Sequence, residues 1–261
     1  LNGVDAFILG LIQGLTEFLP VSSSGHLVLS QELLGIHQEG LRFEVAVHAA
    51  TLVSVLVFYR RRVLQLARGT LRREAESLRY VGKLAVATVP AVAAYLLAGD
   101  WLEAQFELPS VVGVCLIATG GILWTTRRTL GAARLPEPGW RGALWIGCAQ
   151  AVAILPGISR SGSTVAVALA LGVAPAAAAE FSFLMSVIVI AGAAFEKLPG
   201  LSTASAHETA ALAIGAVAAL VAGVAAIWLF VRLLRTRHLY RFAYYTWAVG
   251  ALFLVWLAVR A

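Results

Sequence analysis

The sequence predicts an all-α polytopic membrane protein, with about six transmembrane helices plus two re-entrant helix–break–helix hairpins in an inverted-topology repeat. Three observations predict it. Apolar residues make up 60% of the 261 positions and charged residues only 13%, about half the charged share of a soluble globular domain. Long apolar runs recur along the whole length, and the mean hydropathy is +0.84. Two polar, proline-containing stretches interrupt that pattern at matching places. A soluble chain of this size needs far more polar surface to cover its core, so a single membrane domain over residues 1–261 is expected.

Taken in order, the first element is the interrupted region 5–34, apolar, then polar around Pro20, then apolar again. Its arms are about 12–15 residues each, too short to cross a bilayer at about 1.5 Å per residue. It therefore reads as a hairpin that enters the membrane and returns, which is tolerated only where the irregular backbone is buried in protein or faces a wet cavity. Because the first apolar stretch lacks a basic leading region and runs straight into polar sequence, no cleavable signal peptide is expected. Spans follow at 43–59, 81–98 and 109–126, the first needing a few flanking residues to cross. Region 142–173 repeats the hairpin pattern around Pro156, and spans at 178–195, 209–231 and 242–259 complete the chain.

Charge predicts the orientation. Most of the Lys and Arg residues fall in three segments: 60–83 (Arg60, Arg61, Arg62, Arg68, Arg72, Arg73, Arg79, Lys83), 127–141 (Arg127, Arg128, Arg134, Arg141) and 232–241 (Arg232, Arg235, Arg237, Arg241). Segment 99–108 carries Asp100, Glu103 and Glu107 and no basic residue. The positive-inside rule places the three basic segments in the cytoplasm and 99–108 outside. The net charge of +6 is thereby explained without nucleic acid. No basic stripe with interleaved aromatics is present, and anionic lipid head groups are the expected partners of these loops. Threading the spans through this assignment brings the first hairpin in from outside and the second from the cytoplasm. Both termini then lie outside.

The two halves, about 1–126 and 137–261, match weakly. Leu19-Pro20 and Leu155-Pro156 are each followed by a Ser-rich turn with Gly, and each is preceded by a Gln, Gln13 or Gln150. Glu44 and Glu180 stand apart by the same interval as Pro20 and Pro156. Three spans between the hairpins give the halves opposite topology, and inverted repeats place their site near the midplane, where broken helices meet. Cys115 and Cys148 fit neither a zinc site nor a disulfide framework and read as small buried apolar residues.

Chemistry concentrates at the two breaks. Gln13 and Glu17 are at i and i+4, so they share a helix face. Pro20 ends that arm. Ser22 or Ser23 can cap the next helix, with Ser24 beside them and His26 in its first turn. A membrane-embedded carboxylate costs several kcal/mol, roughly 2.5–3.5 on insertion scales, and intramembrane ionisable groups are functional by default. The bland alternative is a capped break in which Glu17 pairs for structure alone. The second stretch, Pro156-Gly-Ile-Ser-Arg-Ser-Gly-Ser-Thr164, starts a helix after a Gly- and Ser-rich turn. Helix N-terminal N–H groups make an anion site. Arg160 adds a planar donor fork suited to phosphate, and Ser159, Ser161, Ser163 and Thr164 add hydroxyls. Arg160 neutralised by Glu17 for folding alone is the alternative there. Together these groups suit phosphoryl transfer, where positioning and charge stabilisation dominate. There is no P-loop, which argues against nucleotide hydrolysis.

The same residues carry a family resemblance. Gln13 and Glu17 leading into Phe-Leu-Pro-Val-Ser-Ser-Ser-Gly-His26 resemble the (E/Q)xxxE motif and Ser-rich turn of the bacterial undecaprenyl-diphosphatase family, the bacitracin-resistance type. Residues 156–164 match that family's PGxSRSxxT motif at every fixed position, and Phe43-Glu-Val-Ala-Val-His48 resembles a further family segment. The resemblance runs the length of the chain. It implies a multi-pass phosphatase of the bacterial plasma (inner) membrane that converts undecaprenyl diphosphate, or another polyprenyl diphosphate, to the monophosphate carrier recycled in cell-wall synthesis. It also implies Mg²⁺ or Ca²⁺ dependence. The active site is expected to open to the external, periplasmic side, and a homodimer is compatible with it.

By position, Glu17, Ser23, His26 and Arg160 are the expected catalytic residues, and Ser22, Ser24, Ser159, Arg160, Ser161 and Thr164 the phosphate binders. Glu17 is the expected metal ligand, with substrate phosphates and water, since Gln13 supplies no second carboxylate. Gln13 and the i, i+4 pair Glu44 and His48 are supporting residues. Ser23 as nucleophile with His26 as base or acid, His26 itself as nucleophile, and a water activated by Glu17 are three open schemes. From another class, a lipid-phosphate transporter or flippase could use the same inverted repeat.

Overall fold

In a computed structural model the chain is a bundle of eleven α-helices among the residues described, which are 1–35, 42–129, 134–197, 206–236 and 238–260. Residues 130–133 and Arg237 of the basic segments lie outside them. The helices are α1 (Gly3–Phe18), α2 (Ser23–Leu34), α3 (Arg42–Phe58), α4 (Arg60–Leu71), α5 (Ala75–Ala104), α6 (Pro109–Thr129), α7 (Trp140–Val152), α8 (Arg160–Ala170), α9 (Pro175–Lys197), α10 (Ala206–Arg235) and α11 (Phe242–Arg260). Among the described residues the only β pairing is an isolated bridge between Leu135 and Val173. Five helical stretches are long and apolar enough to cross a membrane, and α3 with α4 makes a sixth only as a pair bent by 80°.

The two interrupted regions are helix–break–helix units, as expected. Asn2 caps α1 by accepting the N–H groups of Val4 and Asp5, α1 stops ahead of Pro20, and α2 starts at Ser23 and packs back on α1. The second hairpin, α7 and α8, breaks over residues 153–159. None of these four helices has the roughly 20 residues that a crossing needs.

The structure corrects the reading of 60–83 as a loop. Arg60–Leu71 is a helix, turned 80° from α3 at Tyr59. Its Arg-rich faces are exposed while Leu66 is buried, so an amphipathic pattern was hidden behind the charge count. A short turn with Arg73 in the left-handed region (φ 56°) then leads into α5. That helix is longer than the apolar core of its span suggested, with Pro90 inside and a kink at Ala98.

Small residues decide which helices meet. Gly10 and Gly14 are one turn apart on α1, and a side chain at either would collide with the backbone of α10 at Gly215 or Ala219. Close backbone approach of this kind drives association where lipid removes the hydrophobic incentive. α10 also packs on α3, while α7 packs on α5 and α5 on α9; α6 lies along α11. Beneath the breaks, Phe18 meets Phe183 edge to face at 5.4 Å, and Phe183 meets Phe230 at 5.4 Å. These rings belong to the main buried cluster and hold the last turn of α1 against α9 and α10.

Candidate active site

The tips of the hairpins meet. Gly25 of α2 packs against Gly157 in the second break, so closely that a side chain on Gly25 would crowd the Gly157 backbone. Gly157 has φ 95° and the carbonyl of Val112 where a side chain would begin, so the turn is available only to glycine. Thr119 of α6 secures it: its hydroxyl donates to the Gly157 carbonyl at 2.8 Å and accepts the Ser159 N–H at 2.9 Å. Sequence reasoning did not find Thr119, since nothing local marks a threonine in an apolar span as a partner of a turn about forty residues away.

Around this junction is a cavity of about 850 Å³. Glu17, Ser22, Ser23, Ser24, Glu44, His48, Ser159 and Arg160 line it, with Gln150 and apolar side chains of α5, the second break and α9 beside them. Glu103, Phe106, Glu107 and Pro109 also belong to its wall, so it reaches the acidic segment between α5 and α6.

Glu17 is the hub. It is 8% exposed and sits in the last turn of α1. Its Oε2 accepts from Gln13 Nε2 at 2.9 Å and from Ser23 Oγ at 2.5 Å. Its Oε1 accepts from Arg160 Nη2 at 2.6 Å. His48 Nε2 stands 3.9 Å from Oε2, and its Nδ1 donates to the Glu44 carbonyl at 2.7 Å, which aims the ring at Glu17. A buried ion pair is favourable when further hydrogen bonds support its members, and both Glu17 oxygens have donors. Arg160 is less complete: its Nη1 is buried and has no partner.

The serines divide by task. Ser22 caps α2, its Oγ accepting from Gly25 N–H at 3.3 Å and standing 3.3 Å from Ser24 Oγ. It does so with φ 69°, a conformation a non-glycine residue holds only when its surroundings impose it. Ser159 caps α8 through Gly162 N–H at 3.0 Å, which brings the positive end of that helix to the cavity. Ser23, alone of these, gives its proton side to a carboxylate.

Four predicted residues are turned from the cavity. His26 is 7% exposed; its Nδ1 lies 2.8 Å from the Ser22 carbonyl and its Nε2 2.9 Å from the Tyr245 hydroxyl. A carbonyl only accepts, so Nδ1 carries the proton and Nε2 accepts from Tyr245. The Tyr245 ring also stacks on it at 5.6 Å. Tyr245 has no motif around it and was not foreseen. Ser161 donates to the Leu19 carbonyl at 3.2 Å, joining the two breaks. Thr164 donates to the Arg160 carbonyl at 2.7 Å and lies 2.6 Å from Ser182 Oγ. Gln13 stays behind Glu17. Glu180, the counterpart of Glu44, accepts instead from Arg62 Nε at 3.0 Å and from the Tyr80 hydroxyl at 3.3 Å.

Among the described residues no three His, Cys, Asp or Glu side chains converge as a metal cage. A carboxylate offers about four lone-pair sites. Three of Glu17's are taken by Gln13, Ser23 and Arg160, which leaves one on Oε1. That donor set fits a hard cation held mostly by phosphate and water.

Comparison with known proteins agrees with the motifs. A sequence profile described as bacitracin resistance protein BacA matches residues 6–252. The undecaprenyl-diphosphatase of Alcanivorax borkumensis is 39% identical over 97% of this chain and 98% of its own length. That of Syntrophotalea carbinolica is 41% identical over 96% and 97%, and that of Rubrobacter xylanophilus 40% over 95% and 96%.

Proposed function

The chain belongs to the bacitracin resistance protein BacA family, and from that premise we propose how its cavity works as an undecaprenyl-diphosphatase. It is a membrane phosphatase that hydrolyses undecaprenyl diphosphate to undecaprenyl phosphate and phosphate. The product is the carrier reused in cell-wall synthesis, and its recycling fits the bacitracin resistance in the family's description.

The single observation that carries the site is the set Ser23–Glu17–Arg160 around the buried Glu17: a hydroxyl 2.5 Å from a carboxylate that is itself 2.6 Å from a guanidinium with a free arm. Arg160 Nη1 and the Ser159-capped end of α8 hold the terminal phosphoryl group, supplying charge where it develops. Ser23 Oγ attacks the terminal phosphorus and its proton passes to Glu17. The bond from that phosphorus to the bridging oxygen breaks, and undecaprenyl phosphate leaves with the electron pair. Water then attacks the phosphoserine, and the proton on Glu17 returns to Ser23 Oγ as phosphate departs. His26 acts on this sequence by position: its bond to the Ser22 carbonyl holds the turn from which Ser23 projects. Glu17, with substrate phosphates, would hold the divalent cation, Mg²⁺ or Ca²⁺. Bound there, that ion neutralises charge on the diphosphate.

The cavity opens to the outside of the bacterial plasma membrane in this reading, because its wall includes Glu103 and Glu107 of the segment without basic residues. The two halves are related as an inverted repeat. What supports this is the exchange in packing between halves: α1 and α3 of the first pack on α10 of the second, and α7 and α9 of the second pack on α5 of the first. The deciding experiment is phosphate release from undecaprenyl diphosphate by the purified protein in detergent, with and without chelator. Release that stops with chelator and returns with Mg²⁺ or Ca²⁺ is expected. Lipid movement in liposomes with no phosphate release would make the protein a transporter instead.

A further inference from the structure

Gln150 stands where Gln13 stands in the other hairpin, nearly two turns ahead of the proline, yet the two amides are used differently. Gln13 has Glu17 four residues on and donates to it at 2.9 Å. Four residues beyond Gln150 is Ile154, so the second hairpin has no carboxylate for its amide to hold. Gln150 is 2% exposed, and neither Nε2 nor Oε1 has a hydrogen-bond partner. It also lines the cavity, with Ala91, Ala153, Ile154 and Ile158 as apolar neighbours in the wall. Because both amide atoms are unpartnered, the conclusion does not depend on which is nitrogen and which oxygen.

An unpaired amide buried in apolar surroundings is costly to the resting protein, and buried polar groups in native structures are ordinarily paired. A ligand that enters this cavity supplies the missing partner. The same hairpin also holds the unpaired Arg160 Nη1, so two buried donors without acceptors face one space. The ligand chemistry that satisfies both is an anion rich in oxygen acceptors.

We propose that Gln150 is a substrate-binding residue whose amide N–H donates to a non-bridging oxygen of the terminal phosphoryl group, beside Arg160. Its Oε1 accepts from water that accompanies the phosphate. This assignment rests on the phosphatase reading and adds a second, uncharged anchor to it. A neutral donor suits the position, because it binds the diphosphate without forming a second ion pair with Glu17. The product phosphate can then leave.

The test uses the full-length protein purified in detergent, with Gln150→Leu and Gln150→Glu. Thermal midpoints are read with and without inorganic phosphate, and KM and kcat with undecaprenyl diphosphate. Without phosphate, Gln150→Leu should melt at or above the wild-type midpoint, since it removes an unpaired polar group and keeps the volume. Its KM and its inhibition constant for inorganic phosphate should each rise about tenfold, the loss expected of one hydrogen bond to a charged group, and its stabilisation by phosphate should shrink. Gln150→Glu should raise both constants further through repulsion. A lower midpoint for Gln150→Leu with unchanged KM and phosphate inhibition would overturn the proposal and make Gln150 a structural wall residue. Failure of the phosphatase reading shows separately, as absence of phosphate release by the wild type, and loss of phosphate stabilisation in Gln150→Leu would still locate the anion there.

Discussion

Arg160 Nη2 lies 2.6 Å from Glu17 Oε1, and this one ion pair ties the break of the first hairpin to the start of α8 in the second. Because the guanidinium is planar, one arm holds Glu17 while Nη1 is left without a partner. Arg160→Lys keeps the charge and loses the fork. It should fold, with hydrolysis down by roughly two orders of magnitude, the usual effect of removing one electrostatic donor. Arg160→Ala should also lower thermal stability by about 3–5 kcal/mol, since Glu17 is then buried without its partner. Steady-state rates beside melting curves check both. A Lys variant with wild-type rate would remove Arg160 from phosphate binding.

Gln13 acts on Glu17 and not on the cavity. Gln13→Leu should therefore lower kcat by about tenfold or more, the range for a hydrogen bond to a charged group, with KM nearly unchanged. This is the opposite split from Gln150→Leu. Measuring both constants on both variants distinguishes them, and a KM effect at Gln13 would contradict its position behind the carboxylate.

His26 holds the Ser22 carbonyl through Nδ1. Asparagine can donate to that carbonyl but cannot serve as a base near neutral pH. His26→Asn is expected to keep on the order of a tenth of the activity, and His26→Ala to fall at least another tenfold as the Ser22 turn relaxes. Equal loss in the two variants would return His26 to acid–base chemistry.

The side on which the cavity opens is readable by labelling. In a background with Cys115 and Cys148 replaced by Ala, a membrane-impermeant thiol reagent should reach Glu107→Cys from outside intact cells. It should reach Arg72→Cys only after the membrane is broken. The reverse pattern would turn the cavity, and the reaction, to the cytoplasm.

Much of this protein was legible without coordinates, and the reason is locality. Helix breaks at Pro20 and Pro156, arms too short to span, and the pairing of Gln13 with Glu17 at i, i+4 all follow from backbone geometry over a few residues. The amphipathic helix Arg60–Leu71 was missed because a run of arginines reads as a loop when only charge is counted. Thr119 and Tyr245 carry no local signal, and Gln150 is marked only by its match to Gln13.

By itself, then, the sequence determined a membrane-embedded helical protein with two broken hairpins and a phosphate-handling chemistry, since hydropathy, proline and capping act within single segments. Only the tertiary structure decided which side chains share the cavity. His48 faces Glu17 while His26 turns to Tyr245, and Thr164 turns to Ser182. The direction a helix presents is set by what it packs against, here by close contacts such as Gly10 on Gly215, and those partners are far apart in the chain.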